Sequence, residues 1–230
     1  MFDCFMYSSC NHIDCDKFCM RKYKLEYLYK QSLLPESKWK RMPLLVDQDG
    51  TDYDKFSQLA QIENDIVSFV QEGKNLYIHS HICGNSKTSW SIRLLTSYLN
   101  KIWPTTDLSC RALFISVPRF LLALKDNISV KSDYVDHIKQ NIFNADIVVW
   151  DDIAAKMGTE FELNNLLSLI DGRLAAGKSN IYTSNLDRTE MSSALGDRLA
   201  SRVCQYSIEL EFNGADKRSL VNIQEGSDNT

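Results

Sequence analysis

From residue 75 to residue 184 the sequence alternates short apolar segments with longer segments whose apolar residues recur every three or four positions. Short apolar runs are typical of buried strands, and the three-four spacing is typical of helices packed on one face. This alternation predicts an α/β fold in which helices cover both faces of a parallel sheet. The predicted strands are NLYIHS, RALFISV, ADIVVW and SNIYTS, and the predicted helices are TSWSIRLLTSYLNKIW, PRFLLALK and FELNNLLSLIDGRLAAG.

The loop after the first predicted strand reads HICGNSKTSW, residues 81–90, and it leads into a predicted helix. A Lys-Thr pair at the start of a helix closes the phosphate-binding pattern G-x-x-x-x-G-K-[ST], in which backbone N–H groups and the helix dipole hold the phosphates. In that pattern Lys87 would pair with phosphate oxygens and Thr88 would ligate Mg²⁺. The loop is therefore a candidate nucleotide site.

Two residues of this loop depart from the pattern, because His81 and Ser86 stand where it has glycines. Gly84 and Asn85 remain as residues that favour turns. If position 86 needs a positive φ, serine costs about 1–2 kcal/mol relative to glycine. That strain weakens a site without abolishing it. The alternative is an ordinary strand-to-helix turn that binds no ligand.

Polar residues follow two later strands of the predicted sheet. Asp151 and Asp152 end the apolar segment ADIVVWDD, which is the Walker B arrangement. In it, Asp151 would hold Mg²⁺ through water and Asp152 would orient an attacking water. The alternative is a helix cap with an exposed neighbour. The next strand ends in Thr183, Ser184 and Asn185, which suit the γ-phosphate or the attacking water.

The segment LGDRLASR places Arg198 and Arg202 four residues apart, on one face of a predicted helix. Such a pair is usually solvated surface charge. An arginine that serves the γ-phosphate of a neighbouring subunit has the same sequence pattern.

The first nineteen residues are rich in metal-ligating side chains. Four thiolates this close in a reducing compartment predict one tetrahedral zinc site, with a histidine as a substitute ligand. The alternative is that some of these cysteines are buried small hydrophobes. The helical segment MRKYKLEYLYKQSLL follows directly and could present two of the thiolates from its first turn. The candidate ligands are Cys4, Cys10, Cys15 and Cys19, with His12 among them.

Composition and charge divide the chain and limit its partners. Residues 33–54 carry two prolines, one glycine and many charges, which predicts a linker. We therefore expect an N-terminal region at 1–54, a main domain at 55–225 that opens with a helix over 55–73, and a disordered tail at 226–230. A net charge of −4 gives no general attraction to nucleic acid. The sequence lacks a signal peptide and a long apolar run, so we expect a cytoplasmic protein without membrane association.

The motif order GNSKTSW, VVWDDI, YTSN, LGDRLASR and NGADKR resembles the AAA+ ATPases of the DnaC/DnaI helicase-loader group, especially those of phages and mobile elements. The resemblance covers roughly residues 70–222. It implies an AAA+ P-loop NTPase core with a small N-terminal zinc-binding helical domain that binds the helicase. It also implies ATP or ADP with Mg²⁺ and Zn²⁺ as ligands.

The resemblance also implies residue roles. Walker A would comprise the loop from Gly84 to Ser89, and Walker B the two aspartates. The remaining implied roles are Asn185 as sensor 1, Arg202 as the arginine finger, Arg198 as its support and Arg218 as the sensor 2 arginine. Gly84, Asn85, Ser86, Lys87, Thr88, Ser89, Asp151 and Arg218 would thus contact nucleotide or its Mg²⁺, and Asp152, Asn185, Arg198 and Arg202 would serve catalysis.

The function that this resemblance implies is ATP-dependent loading of a hexameric replicative helicase onto single-stranded DNA, by a homo-oligomer whose ATP sites are completed in trans. Two alternatives stay open. One is an adaptor or inhibitor that binds nucleotide with little or no hydrolysis and captures the helicase. The other is a transposase-accessory ATPase, which shares the ATP motifs but does not explain the cysteines.

Overall fold

The computed structural model describes residues 4–6, 10, 18–40, 50–126, 131–155 and 158–217. Within them lies a sheet of five parallel strands in the order β2-β3-β4-β1-β5. The predicted α/β fold with a parallel sheet is confirmed. The strands are β1 (Asn75–His79), β2 (Ala112–Ser116), β3 (Ile147–Asp151), β4 (Ser179–Ser184) and β5 (Ser207–Glu211).

Helices pack on both faces of this sheet, because successive strand residues point to opposite sides. Leu76 and Ile78 join one hydrophobic cluster with α1 to α4, whereas Tyr77 joins a second cluster with residues of α5 to α9. The helices are α1 (Met20–Gln31), α2 (Tyr53–Asn64), α3 (Ile66–Gln71), α4 (Lys87–Ile102), α5 (Val117–Asp126), α6 (Asp133–Asn141), α7 (Glu160–Ala175), α8 (Arg188–Leu195) and α9 (Asp197–Gln205).

The predicted strands and the helices between them are confirmed to within a few residues. The helix expected over 55–73 is in fact two helices, α2 and α3, because Asp65 leaves helical geometry at φ −108° and ψ 24°. Three elements carried no predicted counterpart: α6, α8 and the edge strand β5. None of the described helices is long and apolar enough to cross a membrane.

The N-terminal helix α1 packs against α4 and β2 through residues that include Leu25, Leu28 and Tyr29. Cys19 caps this helix, since its sulfur accepts a hydrogen bond from the Lys22 N–H at 3.5 Å. Cys15, His12, residues 41–49 of the expected linker and the tail at 226–230 lie outside the described residues. The division at residue 54 and the zinc-binding character of the N-terminal region remain predictions.

A fully buried arginine fixes the end of α7 to the sheet. The Arg173 guanidinium donates to the backbone carbonyls of Ile142, Ala145 and Ser179 and to the side chain of Asn180. Its burial lowers the pKa of Arg173 to about 10, so the group stays charged at neutral pH. The arginine thereby satisfies carbonyls at the amino ends of β3 and β4, opposite to the end where the polar loop residues lie.

Replacing this arginine by methionine should destabilise the fold, because several buried carbonyls would lose their donor. We expect Arg173→Met to lower the free energy of unfolding by at least about 3 kcal/mol, measured by urea denaturation. The matched control is the exposed Arg188, whose change to Ala should alter stability by no more than about 0.5 kcal/mol. Equal effects of the two changes would contradict this assignment.

Candidate functional site

The loop between β1 and α4 has the backbone turns that a phosphate-binding loop requires. Gly84 has φ 75° and Ser86, the residue before α4, has φ 79° and ψ 10°. The condition that the sequence analysis left open, a positive φ at position 86, is therefore met. Only glycine adopts this conformation without strain, so Ser86 carries the cost of about 1–2 kcal/mol that the sequence suggested.

Lys87 lies inside this loop and is only 6% exposed. Its ammonium group donates to the carbonyl oxygens of Ser80 (3.3 Å) and Ile82 (2.9 Å) and to Asn85 Oδ1 (3.2 Å). Asn85 is itself buried and donates to Ser80 Oγ at 2.6 Å. A buried positive charge at the start of a helix, enclosed by the loop, is the arrangement that attracts phosphate.

The carboxylate of Asp151 joins the ends of three elements. Its Oδ1 accepts a hydrogen bond from Thr88 Oγ1 at 2.8 Å and another from Thr183 Oγ1 at 2.7 Å. Burial raises the pKa of Asp151, and the hydrogen bonds from Thr183 and Thr88 act in the opposite direction. The structure thus brings Thr88 and Asp151 together, as the two candidate Mg²⁺ ligands require.

Asp152 follows β3 in a left-handed conformation with φ 54°. Its backbone N–H donates to Thr183 Oγ1 at 3.0 Å, so the same hydroxyl contacts both aspartates of the motif. The sequence did not single out Thr183 as the partner of these aspartates, because it is one of three polar residues at the end of the strand. Asn185, the residue chosen as sensor 1, is half-buried just after β4.

The ligand atoms and charges of these residues suit a triphosphate with bound Mg²⁺. Thr88 and Asp151 offer only oxygen, which is the ligand type that Mg²⁺ prefers. Lys87 offers the positive charge for phosphate oxygens, and Ser89 lies beside Thr88 in the first turn of α4. Arg218, the predicted sensor 2 residue, lies outside the described residues.

The segment 212–217 covers the outer side of the loop. The Lys217 N–H donates to the Gly84 carbonyl at 3.0 Å. A Cβ on Gly84 would overlap the carboxylate of Asp216, so this position requires glycine for space as well as for its positive φ. The N–H groups of Asn213 and Gly214 donate to the carboxylate of Asp52.

His81, the other residue that replaces a glycine of the phosphate-loop pattern, is exposed and contacts α8. Its Nδ1 lies 3.4 Å from Glu190 Oε2. His81, Asp187 and Glu190 form the one group of three potential metal ligands within reach of each other in the described part of the chain, and no cysteine belongs to it. Because Cys15 and His12 lie outside that part, the zinc site remains a prediction.

Arg202 and Arg198 both face Asp171 of α7. Arg202 Nε donates to Asp171 Oδ1, and Arg198 lies 3.9 Å from Asp171 Oδ2. The Arg198 side chain is 75% exposed, whereas that of Arg202 is about one third exposed and also lies over the Tyr206 ring. Neither contacts the Lys87 and Asp151 cluster among the hydrogen bonds and ion pairs of the described residues.

Solved structures of replication proteins share this fold. A crystal structure of the DnaC helicase loader is 17% identical, with 78% of this chain and 100% of that chain covered and a TM-score of 0.61. A DnaI crystal structure is 19% identical over 83% of this chain and 100% of that chain, with a TM-score of 0.60. The chain shares its fold with these solved DnaC and DnaI structures.

The same fold occurs in a replication initiator, DnaA bound to AMPPCP and single-stranded DNA, which is 17% identical with a TM-score of 0.55. That match covers 80% of this chain and 52% of DnaA. No protein-family model matches the sequence, and no curated protein matches it in sequence. The likeness to DnaC, DnaI and DnaA therefore establishes the fold.

The strain at Ser86 gives a direct prediction. Because Ser86 has φ 79° in the folded chain, its strain is part of the stability of the fold. We expect Ser86→Gly to raise the free energy of unfolding by about 1 kcal/mol and to leave ATP affinity equal or higher. Urea denaturation and calorimetric ATP titration measure the two effects.

The matched control for this change is Ser193, which is exposed within α8. Ser193→Gly should destabilise the protein by about 0.5 kcal/mol, since glycine is unfavourable inside a helix. A loss of stability or of ATP binding in Ser86→Gly would show that the loop does not depend on this conformation.

Proposed function

We propose that this chain is an ATP-dependent loader of a hexameric replicative helicase onto single-stranded DNA during DNA replication. The observation that carries the proposal is the contact between Thr88 and Asp151 beside the buried Lys87, at the carboxyl end of a sheet with the DnaC/DnaI fold. Burying the charges of Lys87 and Asp151 is costly, and a triphosphate with Mg²⁺ is a ligand that would use both of them.

In this proposal the loop residues Gly84 to Ser89 bind the phosphates of ATP, and Lys87 pairs with their oxygens. Thr88 and Asp151 hold Mg²⁺, which supplies positive charge against the phosphates. Thr183 keeps Asp151 oriented through its 2.7 Å hydrogen bond. Asp152 orients the attacking water and Asn185 contacts the γ-phosphate.

The second candidate function is an adaptor or inhibitor that captures the helicase and binds nucleotide without turning it over. The strained Ser86 favours it, because a loop with a non-glycine residue at φ 79° has less freedom to follow phosphates through a reaction. No contact of the described residues favours a transposase-accessory ATPase. Turnover distinguishes the first two candidates, since both require ATP binding and helicase capture.

The experiment that tests loading combines capture with turnover. The purified chain should form a complex with the replicative helicase of its host, and ATP hydrolysis should increase when single-stranded DNA is added. Lys87→Ala should abolish ATP binding, because the phosphates lose their buried charge, while Lys139→Gln, an exposed lysine of α6, should not. Capture without hydrolysis would support the adaptor, and no capture would refute both.

We also propose that the N-terminal cysteines bind one zinc ion per chain. Cys19→Ser provides a clean test, because serine preserves the cap of α1 while removing a thiolate. The variant should fold normally and lose zinc in elemental analysis, whereas Cys83→Ser, an exposed cysteine of the phosphate loop, should keep it. Wild-type protein with far less than one equivalent of zinc would rule this site out.

Arg202 is proposed to act on the ATP of the adjacent subunit. Arg202→Ala should leave ATP binding by the monomer intact yet lower hydrolysis and ATP-dependent assembly, because a finger acts across an interface and chiefly on the transition state. Mixing Arg202→Ala chains with Lys87→Ala chains should restore part of the activity. At the mixed interface an intact ATP site meets an intact arginine.

The control for this mixing experiment is Arg188→Ala, which removes an exposed arginine of α8 and should be active alone. If mixtures that demonstrably assemble recover no activity, Arg202 serves only its ion pair with Asp171.

A further inference from the structure

The solvent-exposed side of α1 carries large apolar and aromatic side chains. Met20 is 73% exposed, Tyr23 is 51% and Tyr27 is 42%, and Phe18, just before the helix, is 71%. Spacings of three and four residues place Met20, Tyr23 and Tyr27 on one face of the helix. The core-facing side of α1 is a different one, because the residues that pack there are buried. Exposed apolar side chains that share a face, rather than being scattered singly, indicate a binding surface.

Lysines lie beside these rings. Lys24 and Lys30 are three or four residues away from members of the exposed face, so they flank it. The Lys22 ammonium lies 6.0 Å from the centroid of the Tyr23 ring. The Lys24 ammonium donates to the carbonyl of Thr106, a neutral acceptor that leaves its positive charge uncompensated.

The charge of α1 is opposite to that of the chain as a whole. The helix contains four basic residues and one acidic residue, Glu26, which pairs with Lys30 at 3.0 Å. The whole chain has a net charge of −4. A local basic region in an acidic protein attracts a polyanion to that region and not to the molecule in general.

We propose that this face of α1 binds single-stranded nucleic acid, with bases stacked on Tyr23 and Tyr27 and phosphates beside the lysines. Surfaces that bind single strands combine aromatic rings, which stack on bases, with positive charge that follows the backbone. Tyrosines four residues apart are neighbours on a helix, with about 5–6 Å between their Cβ atoms, so successive bases can reach both rings. A duplex keeps its bases paired and stacked, and therefore offers α1 only its phosphates.

A membrane surface suits this helix less well. Basic amphipathic helices that enter a membrane do so with a face of leucine, phenylalanine or tryptophan. The leucines of α1, Leu25 and Leu28, are buried in the protein core. The exposed tyrosines have hydroxyl groups as well as rings, and they alternate with lysines, which is the pattern that bases and phosphates require.

The inference goes beyond the proposed function, because binding at α1 requires neither ATP nor a helicase. The probe is a fluorescein-labelled oligothymidylate of about 20 nucleotides, longer than one single-strand binding site. It is titrated into the full-length protein without nucleotide and followed by fluorescence anisotropy. We expect saturable binding whose logarithmic dependence on salt has a slope of about −2, as for three phosphate contacts.

An abasic strand of the same length separates stacking from charge, because it has the phosphates without the bases. It should bind at least about fivefold more weakly than oligothymidylate. Duplex DNA of the same length should also bind more weakly at equal salt, since its bases cannot reach the rings.

Tyrosine variants locate the binding on α1. Tyr23→Ala and Tyr27→Ala should each weaken oligothymidylate binding about fivefold or more, whereas Tyr23→Phe keeps the ring and should keep most of the affinity. The matched control is Tyr53→Ala on α2, where the tyrosine is 68% exposed, and it should bind like the wild type. Circular dichroism and melting temperature establish that each variant is folded, and if one alanine variant does not fold, the other decides.

A pair of lysines tests the electrostatic part. Lys30 and Lys74 are both about half exposed, and each pairs with a glutamate, Glu26 and Glu72 respectively. Lys30→Gln should weaken binding and reduce the salt slope by about 0.7, the share of one phosphate contact. Lys74→Gln should change neither quantity.

Three results would overturn the proposal. The first is no saturable binding of oligothymidylate by the folded wild type. The second is an abasic strand that binds as tightly as oligothymidylate. The third is unchanged affinity in the folded tyrosine variants, and if those variants instead lose capture of a helicase or of phosphatidylserine vesicles, the face docks a protein or a membrane. Because no nucleotide is present, a chain that fails to bind or hydrolyse ATP still gives each of these readings.

Discussion

The geometry of the candidate ATP site depends on one carboxylate. Asp151 Oδ1 accepts hydrogen bonds from the hydroxyl groups of Thr88 and Thr183. The start of α4 and the ends of β3 and β4 are therefore joined at one atom. Because the carboxylate is only 7% exposed, losing a donor would leave it partly unsatisfied. The same interaction that stabilises this end of the sheet therefore places the proposed Mg²⁺ ligands together.

The phosphate loop is held from inside and outside, which explains how it tolerates Ser86. Inside, Lys87 and Asn85 bond to Ser80 and to loop carbonyls. Outside, the segment 212–217 donates to Gly84 and is itself anchored by Asp52. Hydrogen bonds of about 1 kcal/mol each are together large enough to offset the strain of one left-handed serine.

Features with a local signal were predictable from the sequence, and features set by distant contacts were not. Apolar runs identified β1 to β4, and the missing glycine identified position 86 as the place where a positive φ would cause strain. The edge strand β5 has only Leu210 buried, so it carries no apolar run. The contact of Asp52 with Asn213 spans 161 residues, and no local pattern predicts such a pair. Thr183 was noted as a polar strand end, but only geometry distinguishes it from Asn185 as the partner of Asp151.

The central claim is that this loop binds the phosphates of ATP in the conformation described. A crystal structure of the chain with a non-hydrolysable ATP analogue and Mg²⁺ tests it most directly. The account predicts phosphates within the loop 82–88, Lys87 Nζ in contact with them, Mg²⁺ near Thr88 and Asp151, and a positive φ retained at Ser86. Analogue bound elsewhere, or a loop that keeps Lys87 on its own carbonyls with no phosphate beside it, would contradict the account.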